Sequence, residues 1–161
     1  MDVDASVNVD APAPTADWGE RTGAALIDLA IATFLFVFGI AAGAILIAVG
    51  GWAAIAAGIG LIVAGPLAAI LYAPLMLSRH GPGNGQTVGK RAAKLRVVRD
   101  DGQPVTFWLG MLREFVVKLF FGILVTGGLF WLVDALWPLF DDRNRAVHDM
   151  VSETHVVKLE K

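Results

Sequence analysis

A chain of 161 residues has room for one domain, yet 56% hydrophobic and 17% charged residues, with a mean hydropathy of +0.63, exceed what a soluble core of that size requires. A lipid bilayer is the expected solvent for the excess, and the absence of cysteine excludes disulfides and thiolate metal sites. The net charge of −2 excludes nothing as a sum, but charges of different sign gather in separate polar regions, and these set the topology.

The first sixteen residues, rich in Ala, Pro and Asp with no Lys or Arg, read as a disordered acidic tail (1–16) ahead of a membrane domain (17–161). A secretory signal needs the opposite charge before an earlier apolar run, so the first hydrophobic segment is expected to remain as an anchor. Asp17 followed three residues later by Glu20 predicts a helix start with a capping box. From Leu29 to Leu77 the chain holds 49 residues without Asp, Glu, Lys, Arg or His, whereas one spanning helix needs roughly 20. Two spans, near 24–49 and 53–77, therefore fit, broken at Gly50-Gly51, with Trp18 and Trp52 suited to interfaces. Small residues recur at four-residue spacing in Gly39 to Gly43, Ala54 to Gly58 and Gly60 to Ala64 to Ala68, a pattern that allows close helix approach in lipid. Pro66 and Pro74 are candidate kinks in the second span.

The 78–114 loop carries seven basic residues, among them Lys90, Arg91, Lys94 and Arg96, against three acidic ones. The positive-inside rule makes it cytoplasmic, and with it the N-terminus two spans away. Leu95-Arg96-Val97-Val98-Arg99, Asp100-Asp101-Gly102 and Val105-Thr106-Phe107 predict a short cytoplasmic β-hairpin. The third apolar segment, about 115–140, contains Lys118 and Asp134, with Gly127-Gly128 at its middle. It either spans once or folds back as a re-entrant pair of short helices, leaving a C-terminal segment at 141–161. The fold expected is an all-α membrane protein with two transmembrane helices, this third segment and the small β insertion.

Arg21 and Asp28 are seven residues apart, about 10.5 Å along one helix face. A carboxylate turned to lipid costs roughly 2.5–3.5 kcal/mol on the mildest scale, so Asp28 requires a partner or hydration. Other chemistries find little support. Gly89-Lys90 lies in a Gly-rich loop, but Asn84 and Arg91 stand where a P-loop needs Gly and Ser/Thr. His80, His148 and His155 are scattered singly, without a nucleophile or further ligand at useful spacing. Neither an enzyme, a cofactor nor a bound metal is expected. The basic loop has little aromatic interleaving, so anionic lipid headgroups rather than nucleic acid are its expected partner, through Lys90, Arg91, Lys94 and Arg96.

Three pieces together resemble the RDD family of small integral membrane proteins. They are Arg21 to Asp28, Gly85-Gln86-Thr87-Val88-Gly89-Lys90-Arg91 running into Leu95 to Val98 and Asp101-Gly102, and Arg145-Ala146-Val147-His148-Asp149 through His155-Val156-Val157. The family is named for one arginine and two aspartates, which the resemblance places at Arg21, Asp28 and Asp149, with His148, Lys118 and Asp134 in support. Asp141 and Asp142 lack the His-Asp context, and Glu153 before Thr154 is a mild departure from a small residue. The family has been linked to transport without a settled substrate. The resemblance thus implies a small transporter, or transporter subunit, of the plasma or inner membrane. An arginine and two carboxylates near a membrane are suited to a cation or proton, and so few helices enclose no path alone, so a homo-oligomer is expected. The alternatives are an adaptor whose basic loop docks a partner or anionic lipid, and a cluster that serves only as a fold clasp.

Overall fold

The computed structural model describes residues 14–117 and 127–159. Helix α1 (Trp18–Val49) opens with the expected capping box. The Glu20 amide donates to Asp17 Oδ1 at 2.8 Å, and the Asp17 amide to Glu20 Oε2 at 3.4 Å. It ends at Gly50, and Gly50 and Gly51 take φ of 80° and 84°, a left-handed pair that few other residues adopt without strain. Helix α2 (Trp52–Leu77) then returns antiparallel, running through Pro66 and Pro74 as one element.

The hairpin closes on glycine. A Cβ at Gly39 would lie 2.5 Å from Gly65 Cα, and one at Gly43 would lie 2.5 Å from Gly58 O. The expected stripe is present on α1, and on α2 the expected Gly58 makes the contact together with Gly65, whereas a Cβ at Gly60 would meet nothing within 4 Å. The outward faces present Phe34, Phe38, Ile45, Ile59 and Val63. Only 11% of the most apolar window of each helix is buried, and both helices are long and apolar enough to cross a membrane.

Beyond α2, a 3₁₀ turn (Gly81–Gly83) leads to α3 (Val88–Ala92), capped by Thr87 Oγ1, and to strand β1 (Leu95–Arg99). The predicted β-hairpin does not form. β1 pairs instead with β2 (Thr154–Lys158), antiparallel, with Leu95 opposite Lys158 and Arg99 opposite Thr154. Residues 105–107 are diverted because Asn84 clamps the Val105 backbone in both directions at 2.9 Å, while Thr106 caps α4 (Phe107–Met111). Gly110 lets α4 approach Pro74. The fold is thus mostly helical with a two-stranded sheet, not all-α with a local hairpin.

The sheet joins both ends of the domain. Thr15 bridges Val157, and the Ala16 amide donates to Val156 O at 3.0 Å. Ala16, Ala24, Leu77, Leu95, Val97, Val105 and Val156 form a small core at the open end of the helix pair. Residues 14–16 of the expected tail are thus docked on the sheet, and residues 1–13 lie outside the described residues.

The chain continues past α4 in a π-helical turn over 112–117 and resumes at Gly127 and Gly128, whose φ of 60° and 97° start α5 (Leu129–Leu136). A 3₁₀ turn (Trp137–Leu139), a loop and α6 (Val147–Val151) lead into β2. A single crossing would place the ends of this segment roughly 30 Å or more apart. Arg113 before it and Asp134 near its end both touch the His148 ring, at 3.0 and 2.6 Å. The described residues at its two ends therefore lie close together around His148.

Candidate functional site

Two polar clusters form where α1 leaves the core. The first surrounds Asp28. Its Oδ1 accepts from the Tyr72 hydroxyl of α2 at 2.9 Å and from the Gly89 amide at 2.8 Å, while Oδ2 accepts from Thr87 Oγ1 at 2.5 Å. The Lys90 ammonium stands 3.7 Å from Oδ2. The Gly85–Lys90 run builds this side of the cluster. Gly85 takes a φ of 74°, and a Cβ there would lie 2.1 Å from Val97 O; the Gln86 amide group donates to Leu95 O at 2.9 Å. Thr87 both caps α3 and binds Asp28, and Gly89 has no Cβ because one would lie 2.1 Å from Ala24 O. The glycine-rich run is a cradle for a carboxylate.

The second cluster surrounds Asp149, which is fully buried. Its Oδ2 accepts from Arg21 of α1 and from the Ala146 amide at 3.0 Å, and Oδ1 lies 2.6 Å from Arg113 Nη1. Arg113 is 1% exposed and central. Its Nε reaches Glu114 at 3.2 Å, Nη1 donates to Thr154 Oγ1 at 2.7 Å, and Nη2 meets His148 Nε2 at 3.0 Å. His148 Nδ1 in turn lies 2.6 Å from Asp134 Oδ2. Burial pushes the Asp149 carboxyl up, but the guanidiniums of Arg113 and Arg21 outweigh it and hold the group below the ordinary carboxylate range. A buried ion pair of this kind is costly to break, since either partner left alone is an unpaired charge.

The expected trio is therefore divided. Arg21 and Asp149 are paired, together with His148 and Asp134, whereas Asp28 belongs to a separate cluster on the same helix. Lys118 lies outside the described residues. Of the four residues expected at a lipid or partner surface, Arg91 and Lys94 are exposed, but Lys90 turns to Asp28 and Arg96 donates to Pro82 O at 2.7 Å. Asp141 holds its own loop: hydrogen bonds from the Arg145 side chain, with others from the Arg143 and Arg145 amides, bring it down to about 2.

Sequence reasoning missed Tyr72, Thr87 and Arg113. Tyr72 is the single tyrosine of the chain, set among aliphatic residues, and a hydroxyl at that depth needs a partner. Arg113 gave little signal, because an arginine in a basic loop reads as solvated. Among the described residues no group of three or more His, Cys, Asp or Glu side chains could hold a metal ion.

The family model described as the RDD family matches residues 15–153, so the chain belongs to that family. Neither a curated protein nor a solved structure matches it. Membership and the two long apolar helices fit a membrane protein.

Proposed function

We propose that this RDD-family chain is a small membrane transporter, or transporter subunit, for a cation or proton, with Asp28 as its exchangeable carboxylate. The observation that carries the reading is the contrast between the two aspartates. Asp149 is sealed at 0% exposure between two guanidiniums, whereas Asp28 keeps 15% of its side chain accessible and has its closest contacts with neutral donors. The Lys90 ammonium at 3.7 Å supplies a positive charge that an arriving cation would replace. Ionisable groups at such depth in apolar helices mark ion paths.

The Asp28–Tyr72 bond also sets a level. Beyond it each helix of the hairpin retains about 20 residues without charge, roughly the thickness of the hydrocarbon core. The carboxylate would then lie where the helices enter that layer, and the basic 78–114 loop would lie in the cytoplasm, with both termini beside it. Two long helices enclose little space, so the path would run between copies of the chain. An adaptor role through the basic loop has less support, because Lys90 and Arg96 have internal contacts.

Proteoliposomes holding the purified chain are expected to exchange sodium or potassium for protons, read with a pH-sensitive dye. Asp28→Asn should abolish the flux at normal expression, and Arg91→Glu with Lys94→Glu should leave it. Persistent flux in Asp28→Asn, or none in the wild type for any of these ions, refutes the assignment.

A further inference from the structure

Among the described residues, the buried titratable group that the transport reading leaves unused is the His148 imidazole. Its Nδ1 edge faces Asp134 of α5, with the two oxygens at 2.9 and 2.6 Å, and Asp134 Oδ1 also accepts the His148 backbone N–H at 2.8 Å. Its Nε2 edge faces two groups of opposite charge: Arg113 Nη2 at 3.0 Å and Asp149 Oδ1 at 3.3 Å. A guanidinium has donors and no acceptor, so the Arg113 contact requires a bare Nε2, and the ring proton resides on Nδ1, donated to Asp134. In that state Nε2 turns a lone pair toward Asp149 Oδ1, a buried oxygen with no aligned hydrogen-bond donor among the described residues.

We infer that His148 is a proton-binding site whose occupancy exchanges Arg113 for Asp149 as the partner of the ring. A proton added to Nε2 reverses both relations: the nitrogen can no longer accept from Arg113, and it donates to Asp149 Oδ1, which Arg113 Nη1 approaches at 2.6 Å without an aligned hydrogen bond. The imidazolium then bridges two buried carboxylates, Asp134 and Asp149, an arrangement that favours the charged ring. Among the described residues, the pocket also holds Glu114, on Arg113 Nε at 3.2 Å, and Arg21 of α1, on the far oxygen of Asp149. Release of Nη2 leaves Arg113 held through Nη1 and Nε, so proton uptake is felt at the foot of the third apolar segment.

The test is side-chain nitrogen NMR on the full chain in detergent micelles or nanodiscs, with His148 identified by its loss in His148→Gln. At high pH the wild-type ring is expected to carry its proton on Nδ1. On acidification Nε2 should gain a proton, and the Arg113 side-chain resonances should shift in the same step. Asp149→Asn should lower the pH of that step, while Asp100→Asn, which removes the 2.7 Å partner of His155, should leave it in place. A ring protonated on Nε2 at high pH, an Arg113 signal indifferent to the step, or a step unchanged in Asp149→Asn overturns the inference. If Asp149→Asn fails to fold, the wild-type tautomer and the joint Arg113 shift decide it. Loss of ion flux in Asp28→Asn bears on the other cluster and leaves this result unaffected.

Discussion

Gly89→Ala tests the carboxylate cradle most directly. The new Cβ would stand 2.1 Å from Ala24 O and 2.9 Å from both Cγ and Oδ1 of Asp28. Ala24 O is backbone inside α1, so α3 must withdraw, by about 1.3 Å to reach ordinary contact distance. That movement breaks the 2.8 Å bond from the Gly89 amide to the carboxylate. A hydrogen bond to a charged group contributes about 1.5–3 kcal/mol, and overpacking costs about 1–3 kcal/mol. Against this, alanine gains about 1 kcal/mol over glycine in a helix. The net expectation is a loss of about 1.5–5 kcal/mol, roughly a ten-fold to few-thousand-fold rise in local opening. Amide hydrogen exchange over 88–99 in detergent reads it, with Gly60→Ala as the control, since a Cβ there meets nothing within 4 Å. Wild-type exchange rates in Gly89→Ala would refute the claim that Asp28 and α3 are held together at this glycine.

Arg113→Leu should destabilise the fold by about 3–5 kcal/mol, the usual cost of stranding one partner of a buried ion pair; a small change in detergent thermal unfolding would refute its central place. Gly43→Leu should part the helix pair, because its side chain meets Gly58 O and Ile62 within 2.6 Å, and Gly60→Leu should not; cross-linking yield between the helices separates the two. Stability should fall on acidification. Asp149 and Asp141 are both held below the ordinary carboxylate value, so their contributions are complete above pH about 4 and fade as pH drops toward about 2. An unfolding temperature unchanged between pH 6 and pH 2.5 would contradict this.

Much of the fold was legible where the signal is local. The charge-free run to Leu77, the Gly50-Gly51 break and the Asp17/Glu20 box each act over a few residues, and all three appear as expected. The partner of β1 was not legible. Asp101-Gly102 supplies a proper turn, and nothing near Val105 reveals that Asn84, 21 residues back, clamps its backbone. The sheet is completed by residues 55 or more positions away in β2, a pairing that local patterning cannot choose. On α2 the contact stripe depends on helix phase, and Gly58 with Gly65 fits as well as Gly60 with Ala64 until the partner face on α1 is known.

The site shows the same limit in sharper form. One arginine and two aspartates invite the idea of a single charge cluster, and the seven-residue spacing of Arg21 and Asp28 places them on one helix face. That spacing also keeps them about 10.5 Å apart along the axis, too far to share partners, so each recruits its own. Arg21 takes the carboxylate that α6 brings, in a pocket closed by Arg113; Asp28 takes the Thr87 and Gly89 donors that the loop brings. Helix α1 thereby carries a sealed ion pair at its first turn and an accessible carboxylate two turns further in, toward the apolar layer. A sealed pair is suited to fixing the chain ends, and the accessible carboxylate is the one the proposed transport function uses. The division follows from helix geometry and from which segments carry cations.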